Sequence, residues 1–580
     1  MKSLRVLVLG GYGVFGGRLI QLLSDESRLN LIVAGRSRAK AIDFCTRLEE
    51  QAKATITPLM FDRNLSPIDQ LKPQNPDVLI DASGPYQIYG EDPYRLVRAC
   101  IDLGITYLDF ADASEFVSNV STFDAIAKQK GVCIRSGVSS FPVLTAAVLR
   151  KLTSGLAPDF TVRGGIAPSP YAGVGLNVIK AITSYAGKPL SLVRNAKKIE
   201  TFGLTETTSY TIAPPGYTPL RRRLFSLVDV PDLQVLPNLW PGLRTVWMGA
   251  GPVPEVYHRM LIGLAWLVRL RLLPSLRPLA WLFHQVINHF RWGDDRGGMF
   301  IEVVGKTETG ATETRSWHMV AEGEDGPFIP SMALEILIRR ILDGKPLEPG
   351  ARSAATEIEL DAYQKLFENR RIYSGFRIQN SATVNQPLYQ QTLGDQWPKL
   401  PHSLREMHNL KDRLTAQGTA RVVRGKSLLS RVVAGILGFP NAGEQVPVTV
   451  SFEKQGDQEL WTRNFAGKEF QSIQRLHKTK RDGLIHEQFG PVSVGLAMLI
   501  ESDRIKIVVR SWRLFGIPMP LILAPGGEAS EFESHGLFHF SVEIKAIFTG
   551  LIVQYQGCLE IIEAGSHKIK EVPDKRNLTQ

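Results

Sequence analysis

LRVLVLGGYGVFGGRLIQLL, residues 4–23, decides the architecture of the first domain. Leu4–Leu9 is an unbroken apolar run, and Gly11-x-Gly13-x-x-Gly16 follows it directly. Phe15, Leu19, Ile20, Leu22 and Leu23 then recur at helical spacing. The order is strand, glycine turn, helix. Such a turn needs glycine because the backbone must bend sharply, approach a pyrophosphate closely and let helix and strand pack tightly. The helix N-terminus then offers free N–H groups to the phosphates. Gly10, Gly11, Tyr12, Gly13, Val14, Phe15 and Gly16 are therefore the candidate nucleotide contacts of the turn.

The second signal is LNLIVAGRSRAK, residues 29–40. About 20 residues past the glycines, the next strand of an NAD site ends in an acid that bonds the ribose 2′-hydroxyl. Here no Asp or Glu occurs from Leu31 through Ile42, while Arg36, Ser37, Arg38 and Lys40 cluster. A guanidinium binds phosphate in a fork and a hydroxyl adds a bond, so the expected cofactor is NADP.

The rhythm continues through residue 157. Strands are expected at 55–61, 77–83, 106–110 and 132–136, and helices near 38–51, 93–103 and 116–130. This alternation predicts an α/β Rossmann domain, a doubly wound parallel sheet, over 1–157. Ligands in such sheets bind outside the carboxyl ends of the strands. Asp62, Ser83, Gly84, Pro85 and Gly137 are thus the further cofactor candidates, and Tyr86, Asp109, Asp112 and Ser140 the catalytic ones. Tyr86 could donate to a carbonyl and Ser140 could bond a carboxamide or substrate. The same glycines, acids and hydroxyls also shape turns and cap helices.

Residues 158–350 read as an inserted α+β substrate or dimerisation domain, with a return helix at 328–342. Within it, residues 257–292 form the most apolar stretch of the chain. Its longest run free of Asp, Glu, Lys, Arg and His is Met260–Val268, well short of the ~20 residues a bilayer span requires. Paired short helices are expected there, walling an apolar substrate pocket, packing in a core or homodimer interface, or lying at an anionic membrane surface. Residues 351–400 read as connector. Residues 401–565 alternate apolar and polar positions between turn signals, which predicts a mainly antiparallel β domain, and 566–580 form a polar tail.

The net charge of +11 suits an anionic cofactor or surface without selecting one. Four scattered cysteines without a Cys-x-x-Cys pair fit a reduced, cytoplasmic setting. No metal site, nucleic-acid partner or transmembrane span is expected. Tyr-x-x-x-Lys and Gly-x-Ser-x-Gly are both absent, so neither the short-chain dehydrogenase relay nor a hydrolase elbow is available.

GGYGVFG, AGRS, DVLIDASGPYQIYG, LVRACIDLGITYLDF and GVSSFP, in this order across residues 5–142, resemble the NADP-binding domain of the saccharopine-dehydrogenase-like reductases. PFIPSMALEILIRRILDGKPLEPGA is similar to the helix that returns after that family's substrate domain. One departure matters. Relatives commonly follow the fifth strand with Tyr-x-Asp-x-x-Gly-Glu, whereas Tyr107-Leu108-Asp109 here leads to Ala111-Asp112-Ala113-Ser114-Glu115. The missing Gly-Glu argues against an amino-acid adduct such as saccharopine as substrate. The long insertion looks more like that of the subgroup of uncharacterised proteins and lipid-pathway enoyl reductases than that of the lysine-pathway enzyme. WTRNFAG, HEQFGP, FGIPMPLILAP and GLIVQYQG resemble a domain of unknown function that recurs behind such reductases. The resemblance implies an NADP-dependent oxidoreductase, and the apolar segments add a bulky apolar substrate of lipid, polyketide or isoprenoid type. The alternative is a catalytically inactive NADP-sensing or lipid-binding protein, peripheral at a membrane.

Overall fold

Leu4–Leu9 forms strand β1, and both of its faces are covered. Val6 and Val8 join one apolar core, while Leu7 and Leu9 join another. A strand without polar alternation belongs in the middle of a sheet clad on both sides. The computed structural model describes residues 3–380, 385–477 and 482–562, in two units. One comprises the chain to residue 214 with 219–380, the other 215–218 with the chain from 381.

In the first unit, β2 (Leu29–Gly35), β3 (Thr55–Met60), β4 (Val78–Asp81), β5 (Thr106–Asp109) and β6 (Cys133–Ser136) surround β1 in the order 3-2-1-4-5-6. All of these pairings are parallel. Helices α1 (Val14–Leu23), α2 (Arg38–Glu49), α3 (Pro67–Leu71), α4 (Arg95–Leu103), α5 (Ser114–Asn119) and α6 (Asp124–Lys130) connect them. This is the doubly wound sheet. The single helix expected over 116–130 is interrupted by a 3-10 turn at Val120–Phe123. There Ser121 and Thr122 donate their hydroxyls to the carbonyls of Ser118 and Asn119, competing with α-helical bonding.

A second, seven-stranded sheet is built on the long strand Leu156–Ala167, flanked by Leu243–Ala250 and Gly297–Thr307. The return helix spans Ile329–Leu342. Ser331 donates to the Phe15 carbonyl at 3.2 Å, and Arg339 to that of Leu22 at 2.8 Å, so it lies along α1. The apolar stretch forms two helices, Glu255–Arg269 and Ala280–His289. Among the described residues no helix is long and apolar enough to cross a membrane.

Residues 351–400 hold more than a connector. Gly350–Ser353 adds a seventh parallel strand beside β6, and Ile372–Gln379 adds an edge strand to the second sheet. The first of these is too short and polar to show alternation. Arg135, fully buried on β6, fixes it by donating to the carbonyls of Gly350 and Glu348 while pairing with Glu357 at 2.5 Å.

The second unit is mainly β, with short helices such as Leu388–Leu393, His402–Met407 and Leu428–Ile436. An eleven-stranded antiparallel sheet runs from Arg413 to Ile562. It closes into a barrel where Val492–Glu501 pairs with Arg504–Leu514 and Arg413–Arg424 pairs with Gly550–Ile562. Alternation sets its interior: Val448, Val450 and Phe452 of one strand are buried, and the residues between them are more exposed. The polar tail at 566–580 lies outside the described residues.

Candidate functional site

The turn between β1 and α1 is shaped by what side chains cannot occupy. Gly10 has φ +80°, and a Cβ there would lie 2.7 Å from the Ala82 carbonyl oxygen. A Cβ on Gly11 would lie 2.8 Å from the Val8 oxygen, and one on Gly16 would collide with the Gly10 carbonyl. These three glycines let β1, β4 and α1 approach each other. Gly13 and Val14 are exposed at the start of α1, so the first N–H groups of the helix face outward. Phe15 stacks on Phe110 at the end of β5, with centroids 5.8 Å apart.

Tyr12 ties this turn to the end of β2. Its hydroxyl accepts the Ser37 N–H at 3.0 Å, and its ring covers Gly35, where a Cβ would sit 2.6 Å from it. Gly35 is therefore a requirement that reading for phosphate ligands passed over. Beyond it Arg36, Arg38 and Lys40 are exposed, with no ion-pair partner among the described residues. Ser37, expected as a cofactor contact, accepts from the Lys40 N–H and caps α2. Three cations around one exposed helix start, with no acid at the β2 end, fit a ribose carrying a 2′-phosphate. Asp62 accepts from the Asn64 N–H and closes the loop after β3.

The ends of β4 to β6 hold the other candidates. Ser83 donates to Asp81 at 2.6 Å, and Arg63 donates to both its carbonyl and its hydroxyl while lying 3.8 Å over the Tyr89 ring. Arg63 was not a candidate; its position directly after Asp62 at the β3 end was the available signal. Gly84–Pro85 is a cis peptide bond leading into Tyr86, and Gly137 has φ +73°.

Two catalytic candidates are engaged by the fold. Tyr86 is buried and donates its hydroxyl to the Asp81 carbonyl at 2.7 Å, so its proton already has an acceptor. Asp109 is fully buried and accepts from the N–H groups of Ala111 at 2.9 Å and Gly137 at 2.7 Å, joining the ends of β5 and β6. Burial pushes its carboxyl up to about 7. Ser140 is also buried, and its hydroxyl has no hydrogen-bond partner among the described residues.

Asp112 differs from these. It is only half-buried, accepts from the Gln87 amide at 3.3 Å, and faces Asp229 from the second sheet's end. Burial first, then the Asp229 charge, push its carboxyl up to about 6. Burial likewise raises Asp229, which accepts from the Ser114 N–H and feels the same Gln87 amide. Two carboxyls in one another's field resist being ionised together, so a proton is held there to higher pH than on a lone exposed carboxyl. The Asp229 partner lies 117 residues beyond Asp112, and no local pattern announced it.

A glycine cradle, an acid-free basic β2 end and a doubly wound sheet define a dinucleotide-binding domain of the NADP type. Residues 6–135 match the family model described as the saccharopine dehydrogenase NADP binding domain, and residues 400–559 match a domain of unknown function, DUF4166. The chain thus joins a saccharopine-dehydrogenase-type NADP-binding domain to a barrel of that second family. No curated protein sequence matches it. Among solved structures it is similar to the L-Glu-forming saccharopine dehydrogenase of Saccharomyces cerevisiae, at 15% identity and a TM-score of 0.46, covering 65% of this chain and 100% of that one. It is also similar to the biliverdin reductase of Synechocystis, at 12% identity and a TM-score of 0.29, covering 63% and 96%.

Proposed function

We propose that this protein is an NADP-dependent oxidoreductase acting on a bulky apolar substrate of lipid, polyketide or isoprenoid type. The observation that carries the reading is the Asp112–Asp229 pair, half-buried at the strand ends where this fold places the reactive end of its dinucleotide. Bound NADPH supplies a hydride. Gly10, Gly11, Gly13 and Gly16 bring backbone close enough to bind its pyrophosphate, and Arg36, Arg38 and Lys40 hold its 2′-phosphate.

A substrate oxygen or carbon that gains a hydride must also gain a proton, and the raised carboxyl of Asp112 holds one to give. Asp229 keeps that proton on the pair, and the Gln87 amide orients the carboxyl that donates it. Tyr185, buried beside both carboxyls, helps to keep water away. An apolar substrate is supported by Glu255–Arg269 and Ala280–His289, whose Met260, Trp266, Trp281 and Leu282 remain exposed. Mixing the full chain with NADPH and a panel of long-chain ketones, enoyl thioesters and amino-acid adducts should give loss of 340 nm absorbance with the apolar members. Tight NADPH binding with no consumption across the panel would contradict the reading.

A further inference from the structure

We propose that the C-terminal barrel is a binding site for an uncharged lipophile carrying a hydroxyl group, that is, a long-chain or polycyclic alcohol, held by Gln474. The inference is independent of the dinucleotide chemistry, because every residue it uses belongs to the second unit.

A cavity of about 360 Å³ lies inside the barrel, within the range that accommodates a drug-sized ligand. Its walls are mostly aliphatic and aromatic, among them Val450, Phe452, Val494, Ile507, Phe538 and Phe540. A polar floor interrupts them. The inward positions of three adjacent strands place Gln474 between Glu459 and Glu487, directly opposite each in the register.

The neighbours are satisfied and Gln474 is not. Glu459 accepts from the Trp461 indole and the Leu388 N–H. Glu487 accepts from Ser472 at 2.6 Å and Arg463 at 3.2 Å. Glu531 accepts from His408 at 2.9 Å and Tyr389 at 3.3 Å. Gln474 is 3% exposed, and its side-chain oxygen has no partner among the described residues. A buried amide oxygen left unpaired carries its full desolvation cost, which a ligand donor would recover.

The charge balance selects the class of ligand. The carboxyls of Glu487, Glu531 and Glu543 line the cavity with one guanidinium, Arg463, and one imidazole, His408, so a fatty-acid carboxylate would add a fourth anion there. A hydroxyl instead donates to the amide oxygen and can also accept from the amide nitrogen, whichever way the side chain is turned.

Exposed apolar surface adjoins the cavity. Val433 and Leu437 line it from the segment containing helix Leu428–Ile436, and Ala546 and Thr549 from the last hairpin. Ser427 donates to the Thr549 carbonyl at 2.9 Å, holding helix and hairpin together. The outward sides of both are apolar: Leu428, Ile436 and Phe548 are 80%, 76% and 77% exposed.

The test is fluorescence titration of the full chain with N-phenyl-1-naphthylamine in saturating NADP, followed by competition with 1-dodecanol and with dodecanoate. Saturable one-site binding is expected, with dodecanol displacing the probe at about tenfold lower concentration than dodecanoate. Val450→Trp and, as a second filling variant, Ala529→Trp should weaken probe binding about tenfold or more. Gln474→Leu should keep the probe and lose the advantage of the alcohol. Absence of saturable binding, undiminished binding in whichever filling variant folds by circular dichroism, or a preference for dodecanoate would overturn the proposal.

Discussion

Gly13→Asp should leave the protein folded and weaken NADP binding by about 100-fold or more, equivalent to about 2.7 kcal/mol. Gly13 is exposed, and a Cβ there meets only its own turn, 3.0 Å from the Gly10 oxygen, so the substitution demands little of the core. Its backbone, however, starts α1 where the pyrophosphate must approach. An aspartate would bring both bulk and negative charge to the place that attracts phosphate. Calorimetric titration with NADP reads the loss, and an unchanged melting curve separates it from unfolding. Affinity within threefold of wild type would remove the β1–α1 turn from the site. The corresponding change at Gly10 is a poorer test, because φ +80° and the Ala82 carbonyl would destabilise the turn itself.

Asp112→Asn should lower kcat for the apolar substrates by about 10²- to 10⁴-fold, the usual worth of a positioned proton donor. NADP affinity should stay within a factor of about two, since neither carboxyl belongs to the glycine turn or the basic cluster. The sign of the pH dependence follows from the raised carboxyl of about 6. Reduction needs its acid form, which is full below that value and is lost as pH rises through it. The wild-type rate should therefore fall above about pH 6, whereas oxidation of the product, which needs the base form, should rise. Asp229→Asn removes the charge that helps to keep the proton on Asp112, so the break in the profile should move to lower pH. Steady-state rates from pH 5 to 9 check both. A kcat for Asp112→Asn within threefold of wild type would assign proton transfer elsewhere.

The parts of the site legible in the sequence are those whose constraint is local. Gly11, Gly13 and Gly16 answer to a turn of a few residues, and Arg36, Arg38 and Lys40 follow on the next strand, so spacing alone carried both. The strand-end acids were ambiguous because a carboxylate that ties two loops together has the same local sequence as one that meets substrate. Asp109 bonds the Gly137 N–H, whereas Asp112 remains half-buried beside Asp229, and only tertiary structure separates them. Asp229 was invisible for the same reason: the insertion returns it to α5 through the Ser114 N–H. The barrel divides likewise. Alternation gave strands such as Gly443–Gln455, but closure depends on Arg413–Arg424 meeting Gly550–Ile562 far along the chain.

An acid-free β2 end is what fits the dinucleotide site to a 2′-phosphate. Parallel calorimetric titrations of the full chain with NADP and NAD, at 50 and 200 mM salt, test this directly. NADP should bind at least about tenfold more tightly, a margin that shrinks at the higher salt because the exposed cations are then screened. Equal affinity for the two nucleotides, or tighter binding of NAD, would contradict it.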